Sequence, residues 1–346
     1  MTVPFDRGRW TEAAPETVRP GVHRVPLPLP NDGLRAVNVY VLETDDGLVM
    51  IDGGWAIPEA QKALETALAG LGRDLGELRH ILVTHIHRDH YTQAVELRRL
   101  FGARVYLGEG ERRGLELVNA QRDGAPSGAL ANLRVNGGDE LADRIVSRMT
   151  GTFDARQWEA PDRWLGAETL TFGDLTLRVI PTPGHTRGHV VYLDETHGEL
   201  YAGDHVLPHI TPSIGFELAD PGLPLGDYLS SLQLMTTLAD ARLLPAHGPL
   251  APSVHDRADE LLAHHEDRLA HTLAALGADG RDAYSVAGRL VWTRRGTAFA
   301  DLDDFNQMLA VNETVAHLDV LVVRGNAVFT TTDGTHHYRR VEAADA

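Results

Sequence analysis

The sequence has no cysteine among its 346 residues, which excludes disulfides and thiolate metal ligands and leaves any metal site to nitrogen and oxygen donors. Basic residues are also scarce, with 32 Lys and Arg against 49 Asp and Glu and a formal net charge of −17. The acidic excess is spread along the chain. A surface that neutralises phosphates needs the opposite balance, so nucleic acid is disfavoured as a partner. The doublets Arg98-Arg99, Arg112-Arg113 and Arg294-Arg295 read as solvated faces. No apolar run is long enough to span a membrane. The segment Met1 to Pro20 is polar and proline-containing, with no apolar leader core, so a cytoplasmic protein without a signal peptide is expected. Aromatic residues make up only 6%, but 43% hydrophobic content over this length suffices for one large domain plus a smaller one.

Histidine, by contrast, is abundant at 18 residues. Its most informative cluster is Thr84-His85-Ile86-His87-Arg88-Asp89-His90, directly after the apolar strand His80-Ile81-Leu82-Val83. If the strand runs on through His87, side-chain alternation puts His85 and His87 on one side, where two neutral imidazoles can share a metal. Asp89 and His90 then fall in the first turn of a helix from Tyr91 to Phe101, placed to serve a second ion. Three further motifs follow, each at the end of an apolar strand. They are Pro183-Gly184-His185-Thr186-Arg187-Gly188-His189, Gly203-Asp204-His205 and His247-Gly248.

These motifs, in this order, resemble those of the metallo-β-lactamase-fold hydrolases, especially the lactamase-β-like and glyoxalase II-like members, over about Gly21 to Pro249. The resemblance implies an αββα sandwich and two divalent metal ions. It assigns the first ion to His85, His87 and His185 and the second to Asp89, His90 and His247, with Asp204 bridging. Zinc suits this donor set best, and iron and manganese are compatible with it. The resemblance also places Asp52, from Ile51-Asp52-Gly53-Gly54, beside the centre. There a carboxylate fixes the tautomer and orientation of a ligand histidine. His189 is expected to support its loop rather than to bind metal.

The rest of the chain organises around those motifs. From Gly21 to Leu107 strands and helices alternate: Val37 to Leu42, a turn at Asp45-Asp46-Gly47, Leu48 to Ile51, a helix from Pro58 to Leu71, then the metal motif and the strand Arg104 to Leu107. Residues 109–166 lose this alternation and carry Met149, Phe153, Trp158 and Trp164, which suggests an inserted helical cap that sets specificity. The catalytic domain is thus expected over residues 1–251. A C-terminal domain, 252–346, reads as a helix from Ser253 to Leu276, helical segments Ala283 to Trp292, Asp301 to Leu309 and Val311 to Val323, and a hairpin turning at Asp333-Gly334. Helices followed by a hairpin look like a winged helix. The acidic Asp301-Leu302-Asp303-Asp304-Phe305 favours packing or homodimerisation over DNA binding.

A pair of divalent ions about 3.5–4 Å apart lowers the pKa of a shared water towards roughly 7 and polarises a carbonyl. The expected activity is therefore hydrolysis of a small-molecule thioester or lactone, with Asp89 and Asp204 catalytic and Asp89 orienting the hydroxide. A phosphodiesterase or ribonuclease would use the same site but conflicts with the charge. A mononuclear iron dioxygenase acting on a persulfide shares much of the motif. Tyr91, Trp158, Trp164, His205 and His209 are the candidate substrate-lining residues. Tyr91 stands where many relatives carry small glycines.

Overall fold

The computed structural model describes residues 9–11, 14–30, 33–120, 127–148, 154–216, 222–277, 280–293 and 296–341. Met149, Phe153, Arg294, Arg295 and residues 1–8 lie outside that set. Among the described residues, a seven-stranded sheet runs in chain order. Its strands are β1 (Glu16–Arg19), β2 (Val22–Pro28), β3 (Ala36–Thr44), β4 (Gly47–Ile51), β5 (Leu78–Leu82), β6 (Arg104–Gly108) and β7 (Arg163–Leu165). A second sheet contains β8 (Glu168–Phe172), β9 (Leu175–Pro181), β10 (Val190–Asp194), β11 (Glu199–Gly203) and β12 (Arg242–Pro245), in the spatial order β12-β11-β10-β9-β8. The hairpin strands β1 to β4 pair antiparallel, whereas β4 to β7 pair parallel through helical crossovers.

The sheets face each other across a core that includes Tyr40, Leu42, Ile51, Leu177, Tyr192 and Tyr201. Helices cover both outer faces. On the first sheet lie α1 (Pro58–Gly70), with Pro58 in its first turn, α2 (Arg88–Phe101) and α3 (Arg112–Ala120). Ala60, Leu64 and Leu68 of α1 and Ala94 and Val95 of α2 bury against that sheet. On the second lie α4 (Ser127–Val135), α5 (Asp139–Arg148), α6 (Pro224–Thr237), α7 (Val254–Ala275), α8 (Ala283–Ala287) and α9 (Asp304–Val323). The result is an αββα sandwich. Strands β10 and β11 are buried along their whole lengths, as strands covered on both faces must be.

Several boundaries differ from the sequence reading. Strand β5 stops at Leu82, so His85 and His87 sit on an irregular segment and not on a continued strand. The segments Asp301 to Leu309 and Val311 to Val323 are one helix, α9, because Ala310 between them offers no break. Ala283 to Trp292 is helical only to Ala287, and Val291–Trp292 (β13) pairs instead with Thr297–Ala298 (β14). The final hairpin, β15 (Ala327–Thr332) and β16 (Thr335–Arg340), turns at Asp333-Gly334, both with positive φ.

Residues 109–166 are helical and divide between two places. The 3-10 turn Ala155–Trp158 packs against α2 and α3, while α4 and α5 pack on α9. One hydrophobic cluster joins Leu133 and Leu141 of the insertion, Val191 and Leu200 of the second sheet, Leu261 of α7 and Val311 and Leu318 of α9. The C-terminal helices share that core.

Candidate metal centre

Every motif residue arrives from the carboxyl end of a strand. Asp52 follows β4, Thr84, His85 and His87 follow β5, and Asp89 and His90 begin α2. His185 and His189 lie between β9 and β10, Asp204 follows β11 and His247 follows β12. The last turn is held from the first sheet. Asn38 Nδ2 donates to the carbonyls of Pro245 (2.9 Å) and Gly248 (2.8 Å), and the Tyr40 hydroxyl donates to Pro245 O (2.8 Å). Gly203 allows close approach, since a Cβ there, at φ +50, would sit 2.6 Å from Thr84 Oγ1 and 2.8 Å from His189 Nε2.

Within this frame, His185 Nε2 lies 3.2 Å from His85 Nε2 and 3.0 Å from His87 Nδ1. Asp89, His90 and His247 form a second group whose donor atoms lie within 4.8 Å of one another. Asp204 stands between the two. Its Oδ2 is 3.4 Å from His185 Nε2, while its Oδ1 is 3.4 Å from His247 Nε2 and 3.7 Å from His90 Nε2.

The outer ring nitrogens explain why lone pairs point inward. His90 Nδ1 donates to Asp52 Oδ2 (3.0 Å), His185 Nδ1 to Ser213 O (2.8 Å) and His247 Nδ1 to Ala36 O (2.8 Å). Thr84 Oγ1 donates to Asp52 Oδ1 (2.9 Å) and accepts from His85 Nδ1 (3.1 Å). With Nδ1 carrying the proton, each of these histidines presents an unprotonated Nε2 when neutral. His90 Nε2, His247 Nε2 and Asp204 Oδ1 are buried without a hydrogen-bond partner. Buried polar atoms left this way are costly, and a cation among them would satisfy all three. The residues present fit a metal.

The charge balance agrees. Burial, reinforced by the neighbouring imidazoles, holds His85 well below the usual histidine range. Burial and His185 pull His87 down to about 3, and burial takes His185 down to about 4. The other group behaves oppositely. Burial opposes charge on His90, but Asp52, Asp89 and Asp204 together outweigh it and push the ring up to about 10. His247 is raised as well, Asp204 and Asp89 overcoming its burial. Without a cation, a proton on His90 offsets part of the carboxylate charge.

Asp52 is buried at φ +62 and accepts from Thr84 N, Thr84 Oγ1 and His90 Nδ1, so it orients the second group. His189 donates Nδ1 to Thr182 Oγ1 (2.9 Å) and accepts from Asp204 N at Nε2 (3.2 Å), which fixes the backbone that carries Asp204.

Four of the expected substrate residues face elsewhere. The Tyr91 ring is fully buried in the core under α2, its hydroxyl bonded to the carbonyl of Glu159. Trp158 and Trp164 pack, partly buried, against that same core, with Arg112 lying over the Trp164 ring. Their apolar area closes the outer layer and does not line the cluster. His205 is buried between His189 and Tyr228, with ring centroids at 6.1 and 5.5 Å, and burial lowers it to about 4. It has no open face to offer a substrate. His209 is half-buried near Gly248. Of the arginine doublets, Arg98 and Arg99 are paired with Glu159.

The sequence reading missed two residues. Glu111 is buried and accepts from Thr186 Oγ1 (2.5 Å) and Ile86 N (3.4 Å), tying the first and third motifs together. Burial pushes its carboxyl up to about 7. Its setting in Glu109-Gly110-Glu111-Arg112-Arg113 looks like a solvated helix start. The available signal was Gly108-x-Gly110, where a Cβ would strike Gly188 O and Arg187 O. Phe216 is the other: its ring centroid lies 5.9 Å from that of His87.

An αββα sandwich with a histidine and aspartate cluster at one edge of its two sheets defines a class of metal-binding proteins. The model of the metallo-beta-lactamase superfamily matches residues 32–247, and the chain belongs to that superfamily, which is hydrolytic and whose fold binds metal ions. A metallo-beta-lactamase family protein from Thermus thermophilus is 29% identical and superposes with a TM-score of 0.76, covering 93% of this chain and 99% of that one. A beta-lactamase domain protein from Burkholderia ambifaria is 25% identical with a TM-score of 0.74, covering 95% of each chain. Among curated proteins, an atrochrysone carboxyl ACP thioesterase of Aspergillus fumigatus is 26% identical over 296 residues, 83% of this chain and 56% of its own length. A lactamase-like protein of Aspergillus niger is 26% identical over 249 residues, 70% and 59% of the two lengths. The chain therefore spans little more than half the length of these curated relatives.

Proposed function

We propose that this chain is a dinuclear metal-dependent hydrolase that cleaves the acyl carbon–sulfur bond of a thioester, with a lactone as the closely related alternative substrate. The observation that carries this reading is the position of Asp204, whose two carboxylate oxygens face different groups of histidines. His85, His87 and His185 would hold one ion, Asp89, His90 and His247 the other, and Asp204 both. Bound there, two divalent ions supply Lewis-acid polarisation of a carbonyl and a water acidic enough to ionise near neutral pH. Zinc fits the nitrogen and oxygen donors, as do iron and manganese.

The chain's own residues do the positioning. His90 and His247 hold Asp89 well below the usual carboxylate range despite its burial, so it is ionised at neutral pH and can orient a water. Asp52 and the carbonyls of Ser213 and Ala36 keep the ligand rings aimed. A thiolate leaves without needing a strong acid, which suits a site where burial keeps His85, His87 and His185 neutral. The net charge of −17 favours a small acyl compound over nucleic acid.

Metal analysis of purified protein should give close to two divalent ions per chain, and a panel of acyl thioesters and lactones should be hydrolysed in a chelator-sensitive manner. One tightly bound iron per chain with oxygen consumption on a persulfide would overturn the hydrolase reading.

A further inference from the structure

We propose that Phe216 and Phe305 form an aromatic wall leading out of the metal cluster, and that the acyl group it receives is an aromatic ring system. The proposal rests on the hydrolase reading above for the position of the substrate carbonyl. His87 contributes one of the three converging ring nitrogens, and its ring centroid is 5.9 Å from that of Phe216. Phe216 in turn meets Phe305 edge-to-face, with centroids 5.8 Å apart and planes at 76°. The two rings therefore run outward from the first group of ligands in contiguous steps. Phe216 is half-buried against the shared core, whereas Phe305 is 53% exposed.

Both rings are held in place by the structure around them. The segment carrying Phe216 is pinned to the cluster, because Ser213 O accepts from His185 Nδ1. It is pinned to α7, because Arg257 donates to Leu207 O (2.6 Å) and Ile210 O (3.0 Å). It is also pressed against α9, where Gly215 approaches the carbonyl of Asn312. Phe305 lies in the first turn of α9. That end is fixed by the Asp303 side chain capping Asn306 N (2.8 Å), and by Arg144 of α5, which pairs with Asp304 at 3.2 Å.

Geometry narrows the occupant. A carbonyl placed at the cluster beside His87 has the Phe216 ring as its neighbour, and an acyl substituent can extend along it. Two phenyl rings in edge-to-face contact offer faces and edges to a third ring, an arrangement that favours aromatic over aliphatic groups beyond area alone.

The test uses the metal-loaded full-length protein and N-acetylcysteamine thioesters of 2-naphthoic and acetic acids. In Phe305→Ala, the ratio of kcat/KM for the naphthoyl over the acetyl substrate should fall by about tenfold, the scale set by losing part of a phenyl ring's contact area. Phe216→Leu should lower the same ratio. Phe329→Ala, which trims another exposed ring in the distant hairpin, should leave it at the wild-type value. In parallel, calorimetric titration with 2-naphthoate should show weaker binding to Phe305→Ala at unchanged metal content. An unchanged ratio with unchanged naphthoate affinity overturns the wall, as does loss of metal from Phe305→Ala. If wild type cleaves neither thioester, the hydrolase reading fails on its own. The naphthoate comparison then decides the wall: weaker binding to Phe305→Ala upholds it and equal binding overturns it.

Discussion

Asp52 shows how much a single side chain does at this centre. It takes hydrogen bonds from Thr84 and His90, and Thr84 in turn takes one from His85, so one carboxylate orients rings of both groups. Asp52→Ala should weaken metal binding by about 10–100-fold, the usual cost of losing an orienting partner, with metal retention against a chelator series as the measurement. A second expectation concerns protons. At neutral pH the rings of His85, His87 and His185 are neutral and that of His90, pushed up to about 10, is protonated, so metal loading should release at least one proton per chain. Zinc titrations in buffers of different ionisation enthalpy measure that number, and release of none would contradict the arrangement of carboxylates. Glu111 supplies a third. Its carboxyl is raised to about 7 by burial, so the folded state holds a proton that the unfolded chain gives up at lower pH. Glu111 therefore lowers stability progressively as pH rises from the unfolded value through about 7. Against that background Glu111→Gln, which never ionises, should gain in melting temperature relative to wild type between pH 5 and 8. A gap that stays constant over that range would mean that the carboxyl ionises equally in both states.

At the scale of elements, the segment between β11 and α6 matters most, because it links the cluster to the C-terminal helices. Its hold on α9 depends on Gly215, which has φ +89 and would place a Cβ 2.8 Å from Asn312 O. Gly215→Ala must push the segment off the helix, and Ser213 would move with it. The His185 hydrogen bond would then weaken, so the variant should lose metal from the His85, His87 and His185 group before the other. Stepwise chelation followed by spectroscopy of a cobalt-substituted protein would show which site empties first. The same element accounts for what the sequence left illegible. Tyr91, Trp158 and Trp164 look available to a substrate in the sequence, yet α2 turns Tyr91 into the core and both tryptophans pack against that same core. Helix direction, which local composition does not encode, decided where they point.

For the whole molecule, the sharing of one core between the second sheet, the insertion and α7 to α9 has a direct consequence. Removing residues 252–346 would strip Leu261, Val311, Leu318 and Leu321 from a cluster that also holds Val191, Leu200 and Leu232. The shortened chain should be insoluble or molten, with lost near-ultraviolet circular dichroism. A cooperatively melting fragment that keeps its metal would show instead that residues 1–251 fold alone. Among the described residues no helix is long and apolar enough to cross a membrane.

The sequence by itself determined the strand and helix alternation and the four histidine and aspartate motifs, and their order carried the resemblance that implied the αββα class and a shared metal cluster. The alternation and each motif are written in residues close together in the chain: apolar strands that end in polar turns, and donor atoms at fixed local spacing. Only the tertiary structure decided that His85 and His87 meet His185 from an irregular segment, because β5 ends at Leu82. It alone brought Glu111 to Thr186, Phe216 to His87 and Phe305 to Phe216. Those partners are separated by tens of residues or more, and nothing in the local pattern around a glutamate or a phenylalanine says which distant loop will be packed against it.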